Sequence, residues 1–317
     1  MRLSGSRLDN ENENRSHYGV HLARNASLAV LVAVLAAGCG SGSSTQGSTG
    51  VVKVVAAENF WGDIAGQIGG SHVAVTSIVT DPTADPHQYE SDARDAAAIS
   101  EARVVIVNGA GYDDFVTKLL SATSNRGRVV LTVAEVLNAG GTDVNPHLWY
   151  DVAHIPEVAR VIESALAFAD PADQASFVAN LKTFVDSLAP LERLVTEIKT
   201  KYPHAPVAYT ERVPGYLLDA AGLTIASPPG FAQAIEDGNE PSAGDTKAMN
   251  DLVTGRRIRV LLYNAQATSP VTQHVRDLAR KAGIPVVAVT ETQPENEPSY
   301  QAWQQHQIEA LLTALGG

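Results

Sequence analysis

From residue 51 onward, short apolar runs rich in β-branched residues alternate with longer stretches in which apolar residues recur at helical spacing. Runs of the first kind predict strands, and the spacing of the second kind predicts amphipathic helices. The predicted strands in the first part of the chain are residues 51–56, 73–79, 104–107 and 129–133. Strands that alternate with helices are typical of βα units, so this part of the chain predicts a mainly parallel four-stranded sheet.

A long helical stretch separates these strands from a second set. Residues 154–201 are helical in pattern throughout, but Pro190 should kink or divide the helix because proline has no backbone N–H. Four further strands are predicted at residues 207–209, 223–226, 258–263 and 285–290. We therefore expect an α/β protein of two lobes, each with a mainly parallel four-stranded sheet, joined by a long helix. The N-terminal lobe is residues 51–170, the linking helix is 171–201, and the C-terminal lobe is 202–317.

The N-terminal segment predicts an exported, lipid-anchored protein. Residues 26–38 form an uncharged apolar run that is too short to span a bilayer comfortably, and Cys39, the single cysteine, follows directly. Small residues before a cysteine are what a lipoprotein signal peptidase requires, although Ala36 stands where leucine is usual. We expect removal of residues 1–38 and diacylation of Cys39, which would give a role to a lone cysteine in an exported protein. The alternative is a soluble protein with a buried N-terminal helix.

Composition and charge limit the partners that this protein can have. Residues 39–50 are rich in glycine and serine and predict a flexible tether, which would hold a monomer on the outer face of the cytoplasmic membrane. The formal net charge of −12 argues against a nucleic-acid partner, because phosphate binding needs clustered lysine and arginine. The same charge suits a cationic ligand.

Four side chains that can bind metals follow predicted strands: His87, His147, Glu211 and Glu291. Open α/β sheets bind ligands in the loops at the carboxyl ends of their strands, where residues from distant parts of the chain can meet. Two imidazoles and two carboxylates would compensate the charge of a divalent cation. The pattern predicts one divalent metal site. Binding should weaken below about pH 6, because imidazoles with a pKa near 6.5 must be neutral to coordinate.

Each of these residues also has a simpler interpretation. His87 and His147 could be ordinary loop residues, but two X-Pro-His turns are harder to ascribe to chance, because proline orients the residue that follows it. Glu211 could begin a helix, where a carboxylate is favoured, and Glu291 could be a solvated loop acid. A fifth candidate, His154, should lie near a helix start rather than bind an ion.

The segments around these residues resemble those of the metal-binding lipoproteins that deliver zinc or manganese to ABC importers. The resemblance covers essentially residues 51–315. It rests on Asp-Pro-His-Gln-Tyr-Glu at residues 85–90, Asn-Pro-His-Leu-Trp-Tyr-Asp at 145–151 and Tyr-Thr-Glu-Arg-Val-Pro-Gly-Tyr at 209–216. It implies two α/β lobes joined by one long helix, a zinc or manganese ion as cargo between them, and a membrane permease as partner.

The resemblance also assigns roles to the candidate residues. The first two segments match the first two histidine ligands of the family, at His87 and His147. The family's third ligand is His in many zinc members and Glu in many manganese members, and here it is Glu211. Its fourth, usually Asp near the end of the last strand, falls at Glu291. Two features depart from the family pattern, since residues 138–145 contain no His-rich loop and a proline interrupts the linking helix.

Three other classes of protein are compatible with parts of the pattern. A metallohydrolase would use similar ligands but needs an open coordination position and a general base. Glu58, just after the first strand, is the only obvious spare carboxylate, and it could instead orient a ligand. A receptor for an organic chelate such as a siderophore would line its cleft with aromatics and arginine, and a surface adhesion module would hold a metal incidentally. The sequence leaves zinc and manganese open, because carboxylates suit manganese whereas affinity rises towards zinc.

Overall fold

The structure is a computed structural model, and it describes residues 50–83, 85–141 and 143–316. The predicted signal peptide, Cys39 and nearly all of the predicted tether lie outside these described residues. Within the described ranges, no helix is both long enough and apolar enough to cross a membrane.

The first sheet consists of four parallel strands in the order β2-β1-β3-β4: β1 (Val52–Glu58), β2 (Val73–Val79), β3 (Val104–Val107) and β4 (Val129–Thr132). Val54 of β1 pairs with Val75 of β2 on one side and with Val104 of β3 on the other. The central strands β1 and β3 are almost entirely buried, which is typical of parallel strands covered by helices on both faces. All four predicted strands are confirmed, and β1 continues two residues beyond its predicted end.

The second sheet repeats this arrangement with the order β6-β5-β7-β8: β5 (Pro206–Tyr209), β6 (Thr224–Ile225), β7 (Val260–Asn264) and β8 (Val286–Val289). The prediction of an α/β protein with two lobes, each containing a four-stranded parallel sheet, is confirmed. Both sheets reverse their winding direction between their first and third strands. The crevice at such a reversal, beyond the carboxyl ends of the strands, is where α/β sheets bind ligands.

Five helices accompany the first sheet: α1 (Asn59–Gly69), α2 (Ala93–Glu101), α3 (Asp114–Ala122), α4 (Val133–Val136) and α5 (Ile155–Ala169). Helix α2 begins at a capping box, in which the Asp92 carboxylate accepts the backbone N–H of Asp95 and the Asp95 carboxylate accepts that of Asp92. Helix α5 begins after His154, which is its N-terminal flanking residue, as the sequence indicated.

The segment between the sheets contains two helices, α6 (Gln174–Ser187) and α7 (Ala189–Lys201), where the sequence predicted one linking helix over residues 171–201. They meet at Leu188, and Pro190 lies in the first turn of α7. Proline is tolerated in a first turn because the N–H that it lacks has no partner within the helix there. The sequence predicted that Pro190 would kink or divide the helix, and the structure shows two helices there instead of one continuous helix.

Five more helices accompany the second sheet: α8 (Gly215–Ala220), α9 (Pro229–Glu236), α10 (Ala243–Thr254), α11 (Pro270–Lys281) and α12 (Tyr300–Ala314). Helix α12 packs against α7 and β8 and also contacts α1, so it ties the C-terminal lobe to the N-terminal one. Its first residue, Tyr300, makes two hydrogen bonds to the N-terminal lobe. The backbone N–H donates to Asp63 at 2.8 Å, and the hydroxyl donates to the carbonyl of Trp149 at 2.6 Å.

An aromatic cluster lies where these elements meet. Phe60 of α1 stacks on Trp149, with ring centroids 4.3 Å apart, and lies 6.1 Å from the ring of Trp303 in α12. All three side chains are buried. Because Trp149 is only two residues from the candidate ligand His147, this cluster connects the hydrophobic core directly to the candidate site.

We expect Phe60→Ala to lower the free energy of unfolding by about 3–5 kcal/mol, because it leaves a cavity among rings that cannot close around it. Phe168→Ala is the matched control, since Phe168 is 70% exposed and its removal should change the free energy by less than about 0.5 kcal/mol. Urea unfolding of both variants measures the difference. Equal losses in the two variants would contradict this description of the core.

Candidate metal centre

Four side chains from widely separated parts of the chain converge at the carboxyl ends of the two sheets. One ligand atom from each of His87, His147, Glu211 and Glu291 lies within 4.8 Å of the other three. Across the described ranges, no other group of three or more His, Cys, Asp or Glu side chains is arranged to hold an ion. The Glu291 carboxylate thus lies close to the other three side chains.

The spacing of the four ligand atoms suits a small ion. The Nε2 atom of His87 lies 3.4 Å from Glu211 Oε1 and 3.3 Å from Glu291 Oε2, and His147 Nε2 lies 3.4 Å from the same Glu291 oxygen. Atoms bound to one tetrahedral ion at about 2.1 Å are separated by about 3.4 Å. His87 Nε2, His147 Nε2 and Glu211 Oε1 are buried without a hydrogen-bond partner. Buried polar atoms are normally satisfied, so three such atoms facing one point fit a metal.

Local structure fixes the backbone at His87. The residue lies in a short 3₁₀ turn, Pro86–Gln88, whose first position is proline. The carboxylate of Asp85 accepts the backbone N–H of His87 at 2.9 Å and so caps the turn. The Asp-Pro-His sequence therefore supplies a cap, a fixed φ and a ligand in consecutive positions.

Asn145 orients the second histidine. Its Oδ1 atom accepts the backbone N–H of His147 at 3.1 Å and lies 2.7 Å from the Nδ1 atom of the ring. The Asn145 amide nitrogen donates to the carbonyl of Arg212 at 2.9 Å, which assigns the amide orientation. Asn145 Oδ1 therefore accepts the Nδ1–H of His147, and this bond directs Nε2 towards the other three ligand atoms.

Both carboxylates of the centre are fully buried and share one amide donor. The Nδ2 group of Asn264, at the end of β7, donates to Glu211 Oε2 and, at 2.8 Å, to Glu291 Oε1. The hydroxyl of Tyr112 donates to Glu291 Oε2 at 2.9 Å. These contacts hold the two carboxylates side by side and leave Glu211 Oε1 directed at His87.

The loop that carries Tyr112 has an unusual backbone. Gly109, Ala110 and Gly111 all have positive φ, and a side chain on Gly109 would collide with Thr132 in β4. The carboxylate of Asp113 accepts the N–H of Gly109 at 2.8 Å and that of the preceding residue, which closes the loop. A tight loop after β3 thus brings a tyrosine from one lobe to a carboxylate of the other.

Three of the four groups have shifted pKa values: His87, Glu211 and Glu291. Burial lowers the pKa of His87, but the adjacent Glu211 and Glu291 carboxylates outweigh it and raise that pKa to about 11. Burial also disfavours the charge of Glu291, yet His147 and His87 outweigh it and hold its pKa well below the usual range. Burial and the neighbouring Glu291 raise the pKa of Glu211. The two carboxylates therefore favour the protonated form of His87, whose Nε2 atom is buried between them.

Glu58 does not join this group. It is the last residue of β1 and is fully buried, but it makes no hydrogen bond to any of the four convergent side chains. Burial raises its pKa well above the usual range, and the nearby Asp113 raises it further. Glu58 lies beside the loop that carries Tyr112, and its predicted role in orienting a ligand has no direct contact to support it.

Other candidates from the sequence have clear positions. His154 is exposed and pairs with Asp151 at 2.7 Å, away from the centre. Asn264 and Tyr112, which contact the carboxylates, were not identified from the sequence. A signal for Asn264 was available, because it is a polar residue at the end of an apolar strand in the second set. Tyr112 had no comparable signal.

Residues 54–314 match the model of the family described as zinc-uptake complex component A, periplasmic. The manganese-binding lipoprotein MntA of Halalkalibacterium halodurans is 31% identical over 202 residues, which covers 61% of this chain and 66% of that protein. The MntA of Bacillus subtilis is 24% identical over 308 residues, which covers 90% of this chain and 97% of that protein.

Solved structures agree on the fold. The periplasmic zinc-binding protein TroA of Treponema pallidum superposes with a TM-score of 0.73 at 18% identity, covering 84% of this chain and all of that one. The manganese-bound periplasmic metal-binding protein of Candidatus Liberibacter asiaticus superposes with a TM-score of 0.69 at 19% identity, covering 83% of this chain and 99% of that one. The family match extends over well more than half of the sequence and confirms the resemblance, so this chain belongs to the periplasmic zinc-uptake component A family of metal-binding proteins.

Proposed function

We propose that this protein is the substrate-binding lipoprotein of an ABC importer, and that it captures zinc or manganese between its lobes and delivers the ion to a membrane permease. The observation that carries the proposal is the convergence of four ligand atoms, two from each lobe, within 4.8 Å of one another. His87, His147, Glu211 and Glu291 are the proposed ligands. The names of the relatives, which are manganese-binding and zinc-binding proteins, support the same cargo.

The geometry favours capture of a bare ion over the alternatives. A hydrolytic metal site needs an open coordination position for water, whereas here protein side chains supply all four donors of a tetrahedral set. A receptor for an organic chelate needs a cleft of ligand size, whereas these donors converge to the dimensions of a single ion. We therefore propose a binding protein without catalytic activity, acting as a monomer.

The two lobes and the segment between them have different roles in metal capture. Residues 51–170 and 202–317 are the lobes that close on the ion, and residues 171–201 are the segment between them. An ion that takes two donors from each lobe stabilises the closed arrangement. A ligand that binds only the folded state raises stability by about 2.7 kcal/mol at a hundredfold excess over its dissociation constant.

We expect His87→Ala to abolish most of the rise in melting temperature that Zn²⁺ or Mn²⁺ produces, because it removes one of four donors. His154→Ala is the matched control, since that imidazole is 57% exposed and pairs only with Asp151. Wild type and control should show the larger shift with Zn²⁺ at equal free metal, because affinity at such nitrogen and oxygen sites rises from manganese to zinc. An unchanged shift in His87→Ala would remove this residue from the site, and no shift in wild type would overturn the proposed function.

Binding of the ion should release about one proton per protein at neutral pH. His87, whose pKa the two carboxylates raise to about 11, is protonated there and must lose its proton to coordinate. Affinity should therefore increase with pH, by about tenfold per unit, well above the pH 6 limit expected for an ordinary imidazole. Titration calorimetry in buffers with different ionisation enthalpies measures the proton count, and His154→Ala should release the same number. A binding enthalpy that does not depend on the buffer would contradict the assignment.

The lipid anchor requires its own test, because Cys39 lies outside the described residues. We expect wild type to incorporate labelled palmitate and to sediment with membranes, whereas Cys39→Ser should incorporate none. Ser41→Ala is a neighbouring control that should behave as wild type. A Cys39→Ser variant that still partitions wholly into the membrane fraction would indicate an uncleaved apolar helix instead.

A further inference from the structure

The four convergent side chains differ in their access to solvent. Those of His147, Glu211 and Glu291 are fully buried, whereas that of His87 is 16% exposed. His87 also lines a cavity of about 230 Å³ that opens to the surface, which we name the vestibule. Because the side chains of His147, Glu211 and Glu291 are buried, an ion can reach the centre from the vestibule without unfolding of the core.

Both lobes contribute to the walls of the vestibule, and its charged residues are mostly acidic. Asp143 belongs to the N-terminal lobe, and Arg212, Glu236 and Asp237 belong to the C-terminal one. Three carboxylates and one guanidinium line the vestibule, and the two acids of the centre lie just behind. A cleft in which one sign of charge predominates raises the local concentration of the opposite ion. The vestibule therefore attracts a divalent cation and leads it to His87.

Arg212 crosses this vestibule. Its guanidinium makes two bonds to the Glu236 carboxylate, Nε to Oε2 at 2.9 Å and a terminal nitrogen to Oε1 at 2.6 Å. It also donates to Asp143 Oδ1 at 3.0 Å and, at 3.4 Å, to the backbone carbonyls of Asp143 and Val144. One side chain of the C-terminal lobe is thus bonded to a loop of the N-terminal lobe across the opening.

The two carboxylates hold Arg212 with different strengths. Glu236 is 6% exposed and binds in the paired geometry that gives the stronger hydrogen bonds. Asp143 is 85% exposed and makes a single side-chain contact, of the kind that contributes little and exchanges readily with water. When the bridge opens, the Asp143 contact breaks first, and Arg212 stays with its own lobe.

Taking the proposed metal-binding function as given, we propose that ions enter and leave through the vestibule and that the Arg212–Asp143 contact, which we name the latch, closes its mouth. Arg212 follows Glu211 in sequence, and its carbonyl accepts the Asn145 amide that orients His147. Closure of the latch and alignment of one ligand from each lobe therefore occur together. Arg212 is thus a positioning residue that governs how fast an ion is released.

The test compares two variants that remove the same charge from the same cavity. Asp143→Asn weakens the latch by removing its ion pair, whereas Asp237→Asn removes a carboxylate that accepts a hydrogen bond from Gln233. Each protein is loaded with Zn²⁺ or Mn²⁺ and mixed rapidly with excess EDTA. Release is followed by tryptophan fluorescence, since the Trp149 ring lies 5.2 Å from that of His147.

We expect both variants to bind the ion slightly more slowly than wild type. The decrease should be the same in both, because each loses one negative charge from the vestibule. Only Asp143→Asn should release the ion faster, by about two- to fivefold, the range that one exposed ion pair supports. About 0.5 M salt should reduce the difference, since it screens the latch. Arg212→Gln, which removes the guanidinium and its charge-assisted bonds across the mouth, should release the ion about tenfold faster or more, with its fold checked by circular dichroism.

The outcomes separate this inference from the function on which it rests. Wild type that fails to bind either ion overturns both. Normal binding, with equal release rates in Asp143→Asn and Asp237→Asn, overturns the latch and leaves the metal-binding function intact. Arg212→Gln leaves the buried Glu236 unpaired and can therefore destabilise the protein. Asp143→Asn still folds, because Asp143 is exposed, so the test does not depend on the Arg212 variant.

Discussion

Two carboxylates buried side by side are the constraint around which this protein is organised. Glu211 and Glu291 have no exposed surface, and an isolated buried charge of this kind costs several kcal/mol even after relaxation. Two imidazoles and the shared amide of Asn264 offset that cost in the metal-free chain. These groups come from both sheets, so the two acids are kept from water only where the lobes lie against each other. The same burial that makes the pair costly makes it a strong cation trap, because a bound cation compensates the charge that water would otherwise solvate.

The hydrophobic core extends to this polar centre without an intervening flexible layer. Trp149 stacks on Phe60 of α1, accepts the hydroxyl of Tyr300 at its carbonyl, and lies beside the ring of His147. Protein interiors are packed as densely as organic crystals, so a ligand attached to such a cluster has little freedom to move. The position of His147 is therefore set by core packing as much as by its hydrogen bond to Asn145.

The sequence predicted the parts of this structure that depend on local pattern. Apolar β-branched runs located all eight strands, and proline chemistry located the division of the linking segment near Pro190. The four convergent residues were found because the carboxyl ends of parallel strands must share one edge. The sequence did not predict the contacts that single side chains make between distant segments. The bond from Tyr112 to Glu291 joins residues 179 positions apart, and no periodicity or motif records such a pairing.

The number of residues between the end of a strand and the ligand that follows it differs between the two lobes. Glu211 and Glu291 each follow a strand end by two residues, whereas His87 and His147 follow theirs by eight and fifteen. Short connections transmit the rigidity of a sheet, and longer ones allow small displacements. The carboxylates are therefore held by their sheet directly, whereas each imidazole owes its position to contacts within its loop, the Asp85 cap at His87 and the packing beside Trp149 at His147. Discrimination between ions of different radius would then depend on how far these loop contacts in the N-terminal lobe yield.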